Sequence, residues 1–383
     1  MNSFIKKMNT LPLNHQSKES FLHKPFLANL FETFHVTYLS LQLDSITYKM
    51  EKDKEQGILK LEKNLKNAPK EIKEWCKTHF LYEMIASYTI KGQQVHISFS
   101  LFSGYETMMQ TYVSYIPWIL HWFSLAYQFS EKKCLYPVHL YLYLTPFKKI
   151  LPEQGTILEE MHVNTAYTWS CKPNNKIIIF RHEEWFKVLI HESFHFFNFE
   201  EFDDKHEKQL KKCFALSVPV YVGEAYGEFW ARVLNCFYCA YFIDKEFSRK
   251  SATLNHFYRL MYMEAIFSCY QAVKVLKHNN LYYEDFYSET KESAERRKMY
   301  KEKTSVFCYY IVSAVLMNEY PMVMSWCNSH NKQLFNIEIK HSHLFVELIK
   351  KICKTSNLQH NLTVLGDIQM HDKTLRMSLM DFL

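Results

Sequence analysis

Trp185-Phe-Lys-Val-Leu-Ile-His-Glu-Ser-Phe-His-Phe-Phe197 is the stretch on which the rest of the chain is read. From Val188 to Phe197 it holds no Pro or Gly, and Glu192 is its only charged residue apart from any charge on the histidines. So apolar a run predicts a buried helix. On a helix, residues four apart share a face about one turn apart, so His191 and His195 can offer two imidazoles to one metal ion. Zinc accepts such nitrogens in tetrahedral sites. Glu192 stands beside the first histidine, where it can take a proton from water activated by that metal. A buried carboxylate with no such role would be costly. The competing reading is a core helix whose two histidines are satisfied by ordinary hydrogen bonds.

Catalytic zinc usually takes three protein groups and leaves one position open. The third is sought in Val220-Tyr-Val-Gly-Glu-Ala-Tyr-Gly-Glu-Phe-Trp-Ala231, which reads as the start of a second apolar helix. Glu224 and Glu228 lie four apart on one face of it. One carboxylate can bind the metal, and the other can accept the free ring N–H of a ligand histidine and fix its tautomer. The chain has only 7 glycines. Gly223 and Gly227 beside these acids therefore suggest that another helix approaches closely. An amphipathic helix with two solvated acids is the plainer alternative.

The pattern His191-Glu192-x-x-His195 followed by Glu224-x-x-x-Glu228 resembles the gluzincin zinc metallopeptidases. The resemblance covers about forty residues directly. It implies zinc ligation by His191, His195 and Glu224, general-base work by Glu192, and a supporting role for Glu228 in orienting a histidine. It also implies a zincin-like two-lobed fold, with a small mixed sheet packed on the motif helix and a helical lower lobe. The metzincin pattern competes for the third ligand. There the turn and the ligand would fall at Asn198 and Glu201. Asn does enter the left-handed conformation more readily than most residues. Against that, Glu200, Glu201, Asp203 and Asp204 read together as a solvated acidic loop.

Composition bounds the remaining choices. A chain of 383 residues with 48% hydrophobic and 16% aromatic residues has a large core to pack and is not disordered. Few Gly and Pro favour helix, so the expected class is α+β, mostly helical. The wealth of Phe, Tyr, Lys, Ile and Asn fits an AT-rich genome, such as that of a large DNA virus or a parasite. A net charge of +6 spread along the chain, with no glycine-rich phosphate loop, argues against a nucleic-acid partner. The uncharged stretch between Glu106 and Glu131 carries Pro117, His121, Gln110 and Gln128, so it reads as a buried helix and no membrane partner is expected. The 10 cysteines show no framework spacing and the N-terminus lacks a signal-peptide core. All ten, including the Cys236-x-x-Cys239 pair, are thus expected as free thiols in a reducing, cytoplasmic compartment.

The expected organisation is a helical region over 1–84, a catalytic upper lobe over 85–245 and a helical lower lobe over 246–383. Within the first, Glu51–Lys77 reads as a helix pair divided at Pro69. Tyr88–Leu101 reads as a hairpin turning near Gly92, and a helix follows over about 107–130. Val138–Leu144, His162–Trp169 and Lys176–Phe180 read as strands. By resemblance, His162–Thr168 would be the edge strand that pairs with an extended peptide. The motif helix is expected to begin near Glu183–Glu184, and the Glu224 helix to run to about Phe242. Later helices are expected over 251–278, 290–300, 303–318 and 333–354, with Leu362–Leu365 as a strand or docked coil. The function so implied is zinc-dependent hydrolysis of a peptide or protein substrate. An oxyanion donor would come from Tyr309, Tyr310, His256, His341 or His343. The alternatives are an inactive scaffold that keeps the fold, and a zinc hydrolase acting on another substrate. The sequence gives no oligomeric state.

Overall fold

The structure, a computed structural model, describes residues 24–243 and 249–381. The chain forms two compact units, each discontinuous in sequence. The first comprises Asn29–Lys148 and Asn164–Phe199. The described part of the second comprises 24–28, 149–163, 200–243 and 249–381. Taken together the chain is α+β and mostly helical, as expected, with one mixed six-stranded sheet. No helix among the described residues is long and apolar enough to cross a membrane.

The first unit holds the sheet. Its strands are β1 (Thr47–Glu51), β2 (Phe80–Ile90), β3 (Gln93–Phe102), β4 (Val138–Thr145), β5 (Ala166–Tyr167) and β6 (Lys176–Arg181), in spatial order β1-β2-β3-β4-β6-β5. β2 and β3 form the expected hairpin, turning at Lys91 (φ 49°) and Gly92 (φ 78°). Two positive φ angles in succession match the right-handed twist of the flanking strands. β3 runs parallel to β4, and the helix Met108–Phe129 supplies the crossover. β4 runs parallel to β6, and β5 closes the far edge antiparallel to β6.

Three expectations about this unit are corrected. Residues 1–84 are not all helical: β1 and the start of β2 fall inside that stretch. The helix pair is present, as Lys54–Asn64 and Lys70–His79 with Pro69 just before the second. The strand expected over His162–Trp169 shrinks to Ala166–Tyr167, because Glu160–Val163 form a helical turn. Finally, not every cysteine is a free thiol. Cys134 and Cys171 are joined in a disulfide across 37 residues, leaving eight free.

The second unit is helical. Its longer elements are Asp204–Cys213, Val222–Ile243, Lys250–His278, Lys291–Met299, Tyr320–His330, Ser342–Ile352 and Ser356–Gly366. Lys250–His278 packs along Val222–Ile243 and also touches Ser356–Gly366. The helix expected over 303–318 is a π-helical segment, Phe307–Val312, continued by Ser313–Asn318. That expected over 333–354 begins only at Ser342, and Leu362–Leu365 lies in a helix rather than a strand. The acidic cluster is not simply a solvated loop either. Asp203 caps Asp204–Cys213, its side chain accepting from the amides of Lys205 and His206.

Candidate metal centre

The motif helix spans Trp185–Phe197 and packs on β5, β6 and the helix Met108–Phe129. It is buried on every side, and His195 alone among its thirteen residues is half-buried. Aromatic contacts fix its rotation: Trp185 meets Tyr115 with ring centroids 4.5 Å apart, and Phe197 meets Tyr127 at 5.1 Å. A polar tether adds direction. Trp122 Nε1 donates to Ser193 Oγ at 2.9 Å, and that hydroxyl donates to the Leu189 carbonyl at 2.7 Å. The helix ends where Asn198 turns left-handed at φ 54°, and the Phe199 amide returns to the Phe194 carbonyl at 2.9 Å. At the other end it begins one residue after the expected acids. Glu184 itself is left-handed at φ 59° and buried, so neither Glu183 nor Glu184 sits in the first turn.

His191 and His195 project from one face, with Nε2 atoms 3.2 Å apart. Two imidazole nitrogens held by one tetrahedral zinc at about 2.0–2.1 Å stand about 3.3–3.4 Å apart. Without an ion, the same approach needs one ring to donate and the other to accept. Glu192 is only 8% exposed, so its carboxylate sits out of bulk water beside the pair.

In the helical unit, Glu224 occupies the first turn of Val222–Ile243, where the helix dipole favours an acid. Burial pushes the nearby Cys308 thiol well above its usual range, and the carboxylates of Glu302 and Glu224 push in the same direction. His191 and His195 belong to the sheet-bearing unit and Glu224 to the helical one. Two imidazoles and a carboxylate are a donor set that suits zinc.

Glu228 is 1% exposed and its charge is met on its own helix. Arg232 Nε donates to its Oε1 at 2.8 Å. The same guanidinium reaches Ser268 Oγ at 2.5 Å and the Tyr309 carbonyl at 3.2 Å. The sequence reading passed over Arg232, although opposite charges four apart in an otherwise apolar helix are a visible signal. Gly223 does mark a close approach, but not of a helix: a Cβ there would stand 3.0 Å from Glu200 Cγ. Of the expected oxyanion donors, Tyr310 is buried and its hydroxyl donates to the Leu375 carbonyl, while His341 Nδ1 lies 2.7 Å from the His330 carbonyl. Cys236 and Cys239 share the helix Val222–Ile243, and burial pushes both thiols up, Cys239 to about 12.

The chain was compared with protein-family models, with curated proteins and with solved structures, and none matches.

Proposed function

We propose that the chain is a zinc-dependent metallopeptidase of gluzincin type, with a zincin-like fold, holding its metal through His191, His195 and Glu224. The observation that carries this reading is the pair His191 and His195 facing each other on one buried helix with Glu192 beside them. The 3.2 Å approach of the two imidazole nitrogens supports it, since it is close to the separation that one tetrahedral ion imposes.

When bound, zinc supplies Lewis-acid polarisation of a scissile carbonyl and of water. The remaining work falls to side chains. Glu192 removes the proton from the attacking water at its carboxylate and delivers it to the leaving amine nitrogen. Its near-complete burial strengthens that exchange by keeping bulk water away. Glu228, held by Arg232, fixes the helix that carries Glu224. An extended substrate can add to the β5 edge. That edge offers only two residues, so backbone pairing is brief and side-chain pockets must carry more of the selectivity.

Glu192→Gln is the direct test. It should retain the metal and the fold while lowering peptide hydrolysis by about 10²–10⁴-fold, the usual share of a general base. Undiminished turnover of a substrate found by peptide-library screening would remove Glu192 as the base.

A further inference from the structure

The sheet has two faces of opposite character, and the polar one takes no part in the proposed metal chemistry. On the apolar face, Phe99 of β3 stacks on Tyr112 of the helix Met108–Phe129 with ring centroids 5.0 Å apart. Side chains alternate along a strand, so His96, Ser98 and Ser100 point the other way. There the register sets Thr47, Ser87, His96, His139 and Lys176 side by side in one row across five strands. Neighbouring strands lie about 4.7–4.9 Å apart, so such side chains meet. Ser87 Oγ is 2.8 Å from His96 Nδ1. The rings of His96 and His139 stack with centroids 5.2 Å apart and planes 19° from parallel. In the next row Ser98 stands beside Tyr141, and Lys176 Nζ lies 5.2 Å from the centre of the Tyr141 ring.

This face has donors to spare. Lys60, on the helix Lys54–Asn64, is neutralised, its Nζ meeting Glu83 at 2.5 Å and Glu51 at 3.7 Å. Lys176 makes no ion pair among the described residues. It donates to Asn64 Oδ1 at 2.9 Å, and an ammonium has further protons to give. The His139 ring makes no hydrogen bond among the described residues. Neither does the Ser98 hydroxyl, although Ser98 is only 4% exposed. A buried hydroxyl left unpaired is costly, and a ligand oxygen would satisfy it. His96, His139 and Lys176 are half-buried, so a small ligand can reach them from solvent.

We propose that this row binds a phosphate group, as the free ion or as a small ester, at His96, His139 and Lys176 above the Ser98 hydroxyl. Lysine brings a point charge with rotatable donors, and a protonated imidazole donates from its edge. Phosphate suits them because it spreads charge over several oxygens, each able to accept a charge-assisted hydrogen bond. The stacking does not suit shared ligation of a metal. Nearly parallel rings keep corresponding atoms about as far apart as their centroids, wider than the about 3.3–3.4 Å between two nitrogens on one tetrahedral zinc.

Binding is coupled to a proton. Burial lowers His139 below its usual range, and His96, Lys176 and Lys60 act in the same direction. The facing acids, Glu83 and Glu51, are held by Lys60. A bound dianion offsets these cations and favours the imidazolium, so affinity rises as pH falls through the histidine range.

Isothermal titration calorimetry of the full chain with inorganic phosphate tests the site, with about one ion per chain expected. Lys176→Gln and His139→Gln should each weaken binding about tenfold, near the contribution of one charge-assisted hydrogen bond, with the circular dichroism spectrum retained. Lys176→Arg should keep most of the affinity. Tighter binding of glycerol 2-phosphate than of inorganic phosphate would give the natural ligand as an ester, and the reverse order as the free ion. Sulfate stays dianionic, so its tighter binding at about pH 5.5 than at about pH 8 reports the imidazole proton alone. Absence of saturable phosphate binding to the wild type, or undiminished affinity in both glutamine variants, would overturn the proposal. So would sulfate affinity independent of pH, or binding that His191→Ala abolishes while the glutamine variants keep it.

Discussion

The helices Trp185–Phe197 and Val222–Ile243 are both almost wholly buried and both carry acids, yet they manage charge differently. In the second, Glu228 is answered four residues on by Arg232, whose guanidinium also holds Ser268 and the Tyr309 carbonyl. That helix brings its own counter-charge. The first carries a buried lysine, Lys187, and a neutral anchor through a hydroxyl: Trp122 to Ser193 to the Leu189 carbonyl. Its two imidazoles, His191 and His195, face each other. One helix answers its buried acid with an arginine four residues on; the other presents two facing imidazoles.

The largest structural effect should come from breaking the charge pair. Arg232→Met leaves the buried Glu228 charge without its guanidinium and should cost about 3–5 kcal/mol in urea unfolding. Adding Glu228→Gln should recover much of that loss. A small cost for Arg232→Met alone would mean that the pair does not anchor the helix. Ser193→Ala should cost less, about 1–3 kcal/mol, because it removes a neutral hydrogen-bonding hydroxyl rather than a charge. If the serine proved as costly as the arginine, the contrast between the helices would fail.

The smallest effect is a pH slope at the π-helical segment that Arg232 touches. Glu302 accepts from the Tyr300 hydroxyl at 2.6 Å and from the Phe307 amide at 2.7 Å, and burial raises it to about 7. A carboxyl raised in the folded state is held protonated there while the unfolded chain ionises. Stability should therefore fall as pH rises from about 4.5 to about 7. Glu302→Gln should flatten that part of the curve. An unchanged slope between those pH values would assign it to other groups.

Local patterns made parts of this architecture legible. The hairpin was visible because Gly92 interrupts two alternating runs, and β4 because Val138–Leu144 alternates with aromatics. The motif helix and its two histidines followed from spacing alone. Other parts had no local signal. β1 is mostly exposed and mixes Lys49 and Glu51 with Tyr48 and Met50, so it shows no apolar face to read. Leu362-Thr-Val-Leu365, a short apolar stretch, read as a strand or docked coil, but it lies in the helix Ser356–Gly366, which packs against Lys250–His278. The Cys134–Cys171 bridge joins residues 37 apart with no framework spacing, and only the folded chain brings them together. Glu224 was chosen over Glu201 by resemblance and because Glu201 lies in an acidic cluster.

The central claim is a metal site made by His191, His195 and Glu224, and the metal content of the purified chain beside His191→Ala and Glu224→Ala tests it most directly. The account predicts about one zinc per wild-type chain and marked loss in both variants, with the fold retained by circular dichroism. No zinc in the wild type after reconstitution, or full zinc retention in both variants, would contradict it and leave the two histidines as members of a buried helix.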